Sequence, residues 1–411
     1  MGSAIIADIV EEHGGEAAFL FQIRAVAATA SHYDGARLHE LDERIEAHLD
    51  GLRIAESEGL AIALAALDED EPGTAFTLAV LAAERGDADA FAAALALAEA
   101  SRGVARAVVA GLAWVPFTAA RGVLAPLLAP GASSLHKRIG IAACAAHREH
   151  PGEALGYALF DEDLALKARA LRAVGELGRL DLADAVRAEL PVARGDERRF
   201  WAAWSAALLG VEAAVPVLWS IADSGGPFAE RACTLVMRRL DVREARTRLE
   251  GLGAAPDHAR AAIAGAAALG DPALIPWLLA SMGNPALARV AAEAFATITG
   301  AAIEGSLAGR APKGFRAGPS DDPADVVVTI DGDGPLPWPA EAALRAWWSA
   351  REGGFRRGSR YLGGAPLTPS TLEDDVLRGN QRRRAGAAIE LSLRQPGRPL
   401  TEVRARVRSS R

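Results

Sequence analysis

A helix-closing tripeptide that returns about every thirty residues constrains this chain more than any other feature. It reads Glu176-Leu177-Gly178, Leu208-Leu209-Gly210, Arg238-Arg239-Leu240, Ala268-Leu269-Gly270 and Ile298-Thr299-Gly300, at spacings of 32, 30, 30 and 30 residues. A unit of that size cannot bury its apolar face alone, so neighbouring units must stack on one another. Glycine takes the left-handed conformation without a Cβ penalty, so the four glycines predict a recurring helix C-cap. Between the markers apolar residues recur at steps of three and four, as in Leu164, Ala168, Leu171 and Val174, which is a helical period. Asp181, Asp196 and Pro272 supply helix starts. The segments 210–218 and 270–278 align, with Pro216 meeting Pro276 and Leu218 meeting Leu278. Three looser hairpins precede them, at 72–86 with 87–102, 104–113 with 117–128, and 134–150 with 153–160.

An Ala-Arg pair leads to Leu-Gly from Ala168-Arg169 to Leu177-Gly178 and from Ala259-Arg260 to Leu269-Gly270, the latter continuing as Asp-Pro-Ala-Leu-Ile-Pro-Trp-Leu. In this the chain resembles HEAT-like repeats of the phycobilin-lyase type. Their short form carries Arg in the first helix, here Arg169, Arg260 and Arg289, and Pro in the second, here Pro216 and Pro276. The helix of Arg289 departs from the pattern by closing on Ile-Thr-Gly. The resemblance covers residues 71–300 and implies an all-α fold, a right-handed α-solenoid of seven or eight hairpins. The whole chain is also similar to a group of bacterial HEAT-like proteins found beside type VI secretion genes, which implies a role accessory to that machinery.

Residues 1–70 read as helices, clearest at 16–28 and at 36–54, where Leu38, Leu41, Ile45, His48, Leu49 and Leu52 form one broad stripe. They are expected to cap the array with a polar outer face. Beyond Gly300 the pattern breaks. A linker rich in Gly, Pro and charge is expected at 305–325, a strand-like run at 326–330, a helix at 339–352, a loop at 353–366 and a single helix at 372–393. Residues 301–411 are thus expected to form a linker and a C-terminal capping module with a basic tail.

Charge divides along the chain. Residues 301–411 hold 18 basic and 13 acidic groups, a net +5, whereas the first 300 hold 27 and 40, a net −13. An acidic body repels phosphate backbones and argues against nonspecific nucleic-acid binding. The tail from Arg378 carries ten Arg against Glu390 and Glu402, and its plainest reading is a solvated face resting on the acidic body. Cys144 and Cys233 are too few for a disulfide scaffold, which fits a reducing, cytoplasmic compartment. The start of the chain has no basic stretch ahead of an apolar one. The longest uncharged run is about 17 residues and is broken by Pro276, Asn284 and Pro285, so no membrane span is expected.

The chemistry of an enzyme is hard to find. No HExxH, G-x-S-x-G, P-loop or helix-opening G-x-G-x-x-G occurs, and no catalytic residue, cofactor or metal is expected. Cys144, His147 and His150 follow one another at steps of three, but the first and last lie about 120° apart around a helix and do not converge. Asp331 and Asp333, with Asp321, Asp322 and Asp325, resemble a calcium loop that lacks its closing Glu. Asp374 and Asp375 read as favouring a helix start. Trp201, Trp204, Trp219 and Trp277 have the spacing of packing residues, with Trp219 and Trp277 also placed to line a ligand-facing row on the second helices. Trp347, Trp348, Arg356, Arg357, Arg360 and Tyr361 are candidates for a protein contact patch, or else plug the end of the array. The expected function is a non-enzymatic protein-protein interaction scaffold or adaptor. Alternatives are a HEAT-like nucleic-acid binder or DNA glycosylase using Trp219 and Trp277, a tetrapyrrole-handling lyase, and an immunity protein against a secreted toxin.

Overall fold

The computed structural model describes residues 6–193, 195–318 and 331–406. Within them the protein is all-α, apart from a pair of two-residue strands. By contact the chain divides into two compact units. The first takes in residues up to Ala193, with Arg378–Arg382 and the stretch from Gln395 onward; the second takes in the residues from there to Leu377, with Arg383–Arg394. The division by contact therefore does not follow the boundaries expected at residues 70 and 300, and residues 301–411 form no separate body. The expected strand at 326–330 lies outside the described residues, as do Asp321, Asp322 and Asp325.

The first unit contains α1 (Ala7–Ala27), α2 (Gly35–Ile54), α3 (Glu56–Ala65), α4 (Pro72–Arg85), α5 (Ala88–Ala100), α6 (Arg102–Trp114), α7 (Phe117–Leu127), α8 (Ser134–His147), α9 (Ala154–Ala158), α10 (Leu164–Glu176) and α11 (Ala183–Glu189). First helices stack in a row: α1 on α4, α4 on α6, α6 on α8 and α8 on α10. Their partners α5, α7 and α9 close the hairpins against them. Side chains of Asp34, Asp87, Ser101, Ser133 and Asp163 accept backbone N–H groups at helix starts, satisfying donors that have no partner within the helix. α4 is buried on every side from Gly73 to Ala83. Phe76 is stacked on Phe21 at 4.1 Å and meets Trp114 edge-on at 5.3 Å. A Cβ at Gly73 would strike the Ala18 carbonyl oxygen, so glycine there sets how closely α4 approaches α1.

The second unit repeats the scheme with α12 (Asp196–Leu208), α13 (Ala214–Ala222), α14 (Ala229–Met237), α15 (Val242–Gly253), α16 (Ala259–Leu269), α17 (Ile275–Ser281) and α18 (Pro285–Thr299). α14 packs on α16 and α16 on α18, while α13, α15 and α17 pair with them. α19 (Glu341–Ser349) lies against α17. The strands β1 (Tyr361–Leu362) and β2 (Ala365–Pro366) pair antiparallel within the expected loop. The helix expected at 372–393 is two helices, α20 (Pro369–Arg378) and α21 (Gln381–Arg394). Leu372, Ala387 and Leu391 form a small core there with Leu362, Leu367 and Val376 around it.

The recurring C-cap is present. Gly178, Gly210, Gly270 and Gly300 have φ of +65°, +79°, +73° and +74°. One repeat upstream of Gly178 the same position is Arg148, whose φ of +61° makes it a rare non-glycine in the left-handed region. The capping glycines also leave room for backbone. A Cβ at Gly178 would strike the carbonyl of Gly397, one at Gly270 that of Tyr361, and one at Gly300 that of Gly363. Helices end with carbonyls that lack intrahelical donors, and the C-terminal residues supply them. The N–H of Tyr361 donates to Gly270 O at 2.8 Å, that of Gly363 to Thr297 O at 2.6 Å and that of Gly364 to Ile298 O at 3.1 Å; in the first unit the N–H of Leu400 donates to Glu176 O at 2.9 Å. Each unit is thus strapped along the C-terminal ends of its first helices.

Candidate partner-binding surfaces

Several predicted contact residues hold the strap. Tyr361 is buried beneath Phe355, with its hydroxyl accepting the Arg356 N–H at 2.9 Å. Arg360 donates to the carbonyls of Leu269 and Ala268, at 2.9 and 3.0 Å, and pairs with the buried Glu390. Trp348 is buried between Phe295 and Phe355. Trp348 and Tyr361 are buried and Arg360 is largely engaged by these partners, so all three make packing contacts within the second unit. Trp347 is half-buried, edge-on to Phe295 at 5.7 Å and covered by the Arg351 guanidinium at 4.6 Å. Arg356 and Arg357 are exposed and form no ion pair among the described residues.

Trp219 and Trp277 are half-buried on α13 and α17. The Arg248 guanidinium of α15 lies 4.9 Å from the Trp219 ring centre, a cation-π contact. Trp277 packs at Gly253, where a Cβ would come within 2.8 Å of its ring. Trp201 and Trp204 are buried. The sequence reading missed Arg231, which is exposed and sits over the rings of Phe200 and Trp201 at 4.9 and 4.7 Å.

Ionic side chains tie the first unit to its strap. Arg148 donates to Leu400 O and lies 3.3 Å from Glu402. Glu176 is flanked by Arg169 and Arg172. Burial alone would raise its carboxyl, but Arg169, Arg172 and Arg148 hold it at about 2. Burial likewise opposes ionisation of Glu402, and Arg404 and Arg148 outweigh it to hold that carboxyl below its ordinary value. Further along, Arg24 pairs with the buried Asp42 and donates to Arg404 O at 3.0 Å. Arg406 pairs with Glu46 at 2.8 Å and lies over Trp114. Of the arginines in residues 395–406, Arg406 meets an acid of the body, Glu46, whereas at Glu402 the polarity is reversed and Arg148 of the body holds an acid of the tail; residues 407–411 lie outside the described residues. In the second unit Arg260 holds Asp333 and Arg289 holds Asp331, so the carboxylates of the calcium-like loop serve as partners for the arginines of the repeat.

The remaining chemistry is spoken for. His147 Nε2 lies 2.8 Å from Leu112 O, and His150 Nδ1 accepts the Gly152 N–H. Cys144 and Cys233 are buried and free, and burial pushes their thiols up to about 11 and about 12. Asp374 and Asp375 fall in the second turn of α20, not at its start, and Asp375 pairs with Arg383. Among the described residues no group of three or more His, Cys, Asp or Glu is placed to hold a metal ion, and no helix is long and apolar enough to cross a membrane.

Large apolar side chains are exposed in two groups of the first unit, neither foreseen from the sequence. Tyr157, in α9, and Phe160, just after it, are 69% and 75% exposed, and Leu164 at the start of α10 is exposed as well. Ile9, Phe19, Ile23 and Val26 lie on α1, with Phe19 at 59% and Val26 at 70%. The expectation of a polar outer face on the N-terminal cap fails here, because the apolar residues of α1 are spread round the helix and α2, α3 and α4 pack on it without covering Ile9, Phe19, Ile23 and Val26. A signal was available: a capping helix with apolar residues at 19, 23 and 26 in addition to its core stripe. No family model, curated protein or solved structure matches the chain.

Proposed function

We propose that the protein is a non-enzymatic scaffold or adaptor that binds another protein. What carries this reading is the exposure of large apolar side chains on α1 and at α9, in units where Asp42, Glu176 and Glu390 are paired internally. Exposed apolar patches of this kind mark interaction sites, protein contacts among them. The similarity to proteins beside type VI secretion genes makes components of that machinery the first partners to try, with a secreted toxin as the immunity alternative. The nucleic-acid alternative draws on Trp219 and Trp277, which are half-buried, and the Arg248 guanidinium already lies over the Trp219 ring.

The test is affinity capture from native lysate with nuclease added, followed by cross-linking and mass spectrometry on the intact chain. A truncation at Gly300 is unsuitable, since later residues are part of both units. The expected result is one protein at near-stoichiometric yield, cross-linked to the first unit and retained in moderate salt. Recovery of nucleic acid alone, or of no protein, overturns the reading.

A further inference from the structure

The outer face of α1 is organised as a seam. Steps of three and four residues run down it through Ile9, Glu12, Glu16, Phe19, Ile23 and Val26, and all six are exposed. The helix buries its other side, through Val10, Gly14, Ala17, Phe21 and Arg24. An average step of 3.5 residues is the spacing by which one helix meets another in a coiled coil, and this seam runs for about 26 Å at 1.5 Å per residue. Its two halves differ. The second is apolar, with Phe19, Ile23 and Val26. The first is acidic, with Asp8, Glu11, Glu12 and Glu16 exposed and in no ion pair among the described residues. The only Arg or Lys of α1 is Arg24, which is turned inward onto Asp42, so nothing on this helix neutralises those acids.

We infer that the face docks one amphipathic helix of a partner protein, with apolar residues against Phe19, Ile23 and Val26 and Arg or Lys against Glu12 and Glu16. This rests on the protein-binding reading and gives the partner its chemistry. A second copy of α1 fits poorly. In parallel it sets Glu12 against Glu12, and antiparallel in full register it lays Glu12 on Ile23 and Glu16 on Phe19, which costs the desolvation of unpaired carboxylates. A basic helix gives each carboxylate a counter-charge while covering the same apolar half.

The experiment uses the full-length chain and a fluorescent synthetic helix of about 21 residues, the length of α1 at 1.5 Å per residue. The peptide carries Leu opposite Phe19, Ile23 and Val26 and Arg opposite Glu12 and Glu16, and is made in both sequence directions. Its control replaces each Arg by Glu. By fluorescence anisotropy the Arg peptide in one direction is expected to bind at least tenfold more tightly than the control. Glu12→Lys with Glu16→Lys should reverse that preference, and Phe19→Glu with Ile23→Glu should weaken binding of the Arg peptide at least tenfold. All four side chains are exposed, and circular dichroism checks that the variants keep their helix content. Equal binding of both peptides, or binding that none of the variants alters, overturns the inference. So does a concentration-dependent dimer in sedimentation that Phe19→Glu with Ile23→Glu abolishes, since the occupant would then be a second copy. If the peptides fail while a captured protein cross-links elsewhere, this face is refuted and the scaffold reading survives.

Discussion

Arg148 occupies a backbone conformation that the repeat elsewhere gives to glycine. A non-glycine residue there costs about 1–2 kcal/mol, and the side chain offsets that by binding Leu400 O and Glu402. Two substitutions separate these effects. Arg148→Ala keeps the strain and loses the contacts, so it should be destabilised by about 2 kcal/mol or more. Arg148→Gly loses the same contacts but relieves the strain, so it should be more stable than Arg148→Ala by about 1 kcal/mol. Chemical denaturation of the two variants side by side measures the difference, and equal stabilities would show that the φ of +61° stores nothing. The glycines at 178, 210, 270 and 300 were legible as caps because glycine signals this geometry on its own. Arginine carries no such signal, and its reason for being there lies 252 residues further along the chain.

At the scale of elements, helix positions were legible wherever a cap and a three-to-four period coincided, as for α4, α10 and α16. The break between α20 and α21 was not read, although Gly379-Asn380 marks it. The apolar period runs through both helices, and what fixes the break is tertiary: the Gln381 N–H donates to Tyr33 O at 2.7 Å and Asn380 bridges Asp34. The strap was invisible for the same reason, since a loop that satisfies distant carbonyls needs no particular side chains. Its docking can be tested at one atom. Gly86 and Gly270 have similar φ, +67° and +73°, but a Cβ meets open space at Gly86 and the Tyr361 carbonyl at Gly270. Gly86→Ala should therefore cost only the left-handed strain, about 1–2 kcal/mol. Gly270→Ala should cost more and should also speed hydrogen exchange at the Tyr361 and Gly363 amides. Unchanged exchange there would mean that the strap does not depend on the close approach.

For the molecule as a whole, the sequence showed an acidic body and a basic end, but the buried carboxylates are held mainly by arginines of the body. Glu176 and Glu402 are held as carboxylates by Arg148, Arg169, Arg172 and Arg404. A carboxyl held below its ordinary value adds stability above that value and loses it as pH falls towards the lowered one. For Glu176 the loss should run from about pH 4.5 down to about pH 2, and one such group is worth on the order of 3 kcal/mol. Denaturation midpoints should therefore be level from pH 7 to about pH 5 and fall steeply below, with Glu176→Gln flattening the fall while lowering stability at neutral pH. A fall of equal size in Glu176→Gln would assign acid sensitivity to other groups. Where the contact boundary would fall was not legible, because composition marks linkers but not which distant segments return to which helices.

The strap also sets an order of events during synthesis. Arg24 and Asp42 are made early, yet the Arg404 carbonyl that Arg24 binds follows hundreds of residues later. A ribosome adding about 5–20 residues per second needs some tens of seconds to complete that interval. Until then the ends of α8 and α10 have no strap, and Glu176 and Arg148 lack their late partners. The first unit is thus finished by a stretch that emerges long after the helices it straps, so a nascent chain stalled before residue 395 presents open helix ends on which chaperones and proteases can act.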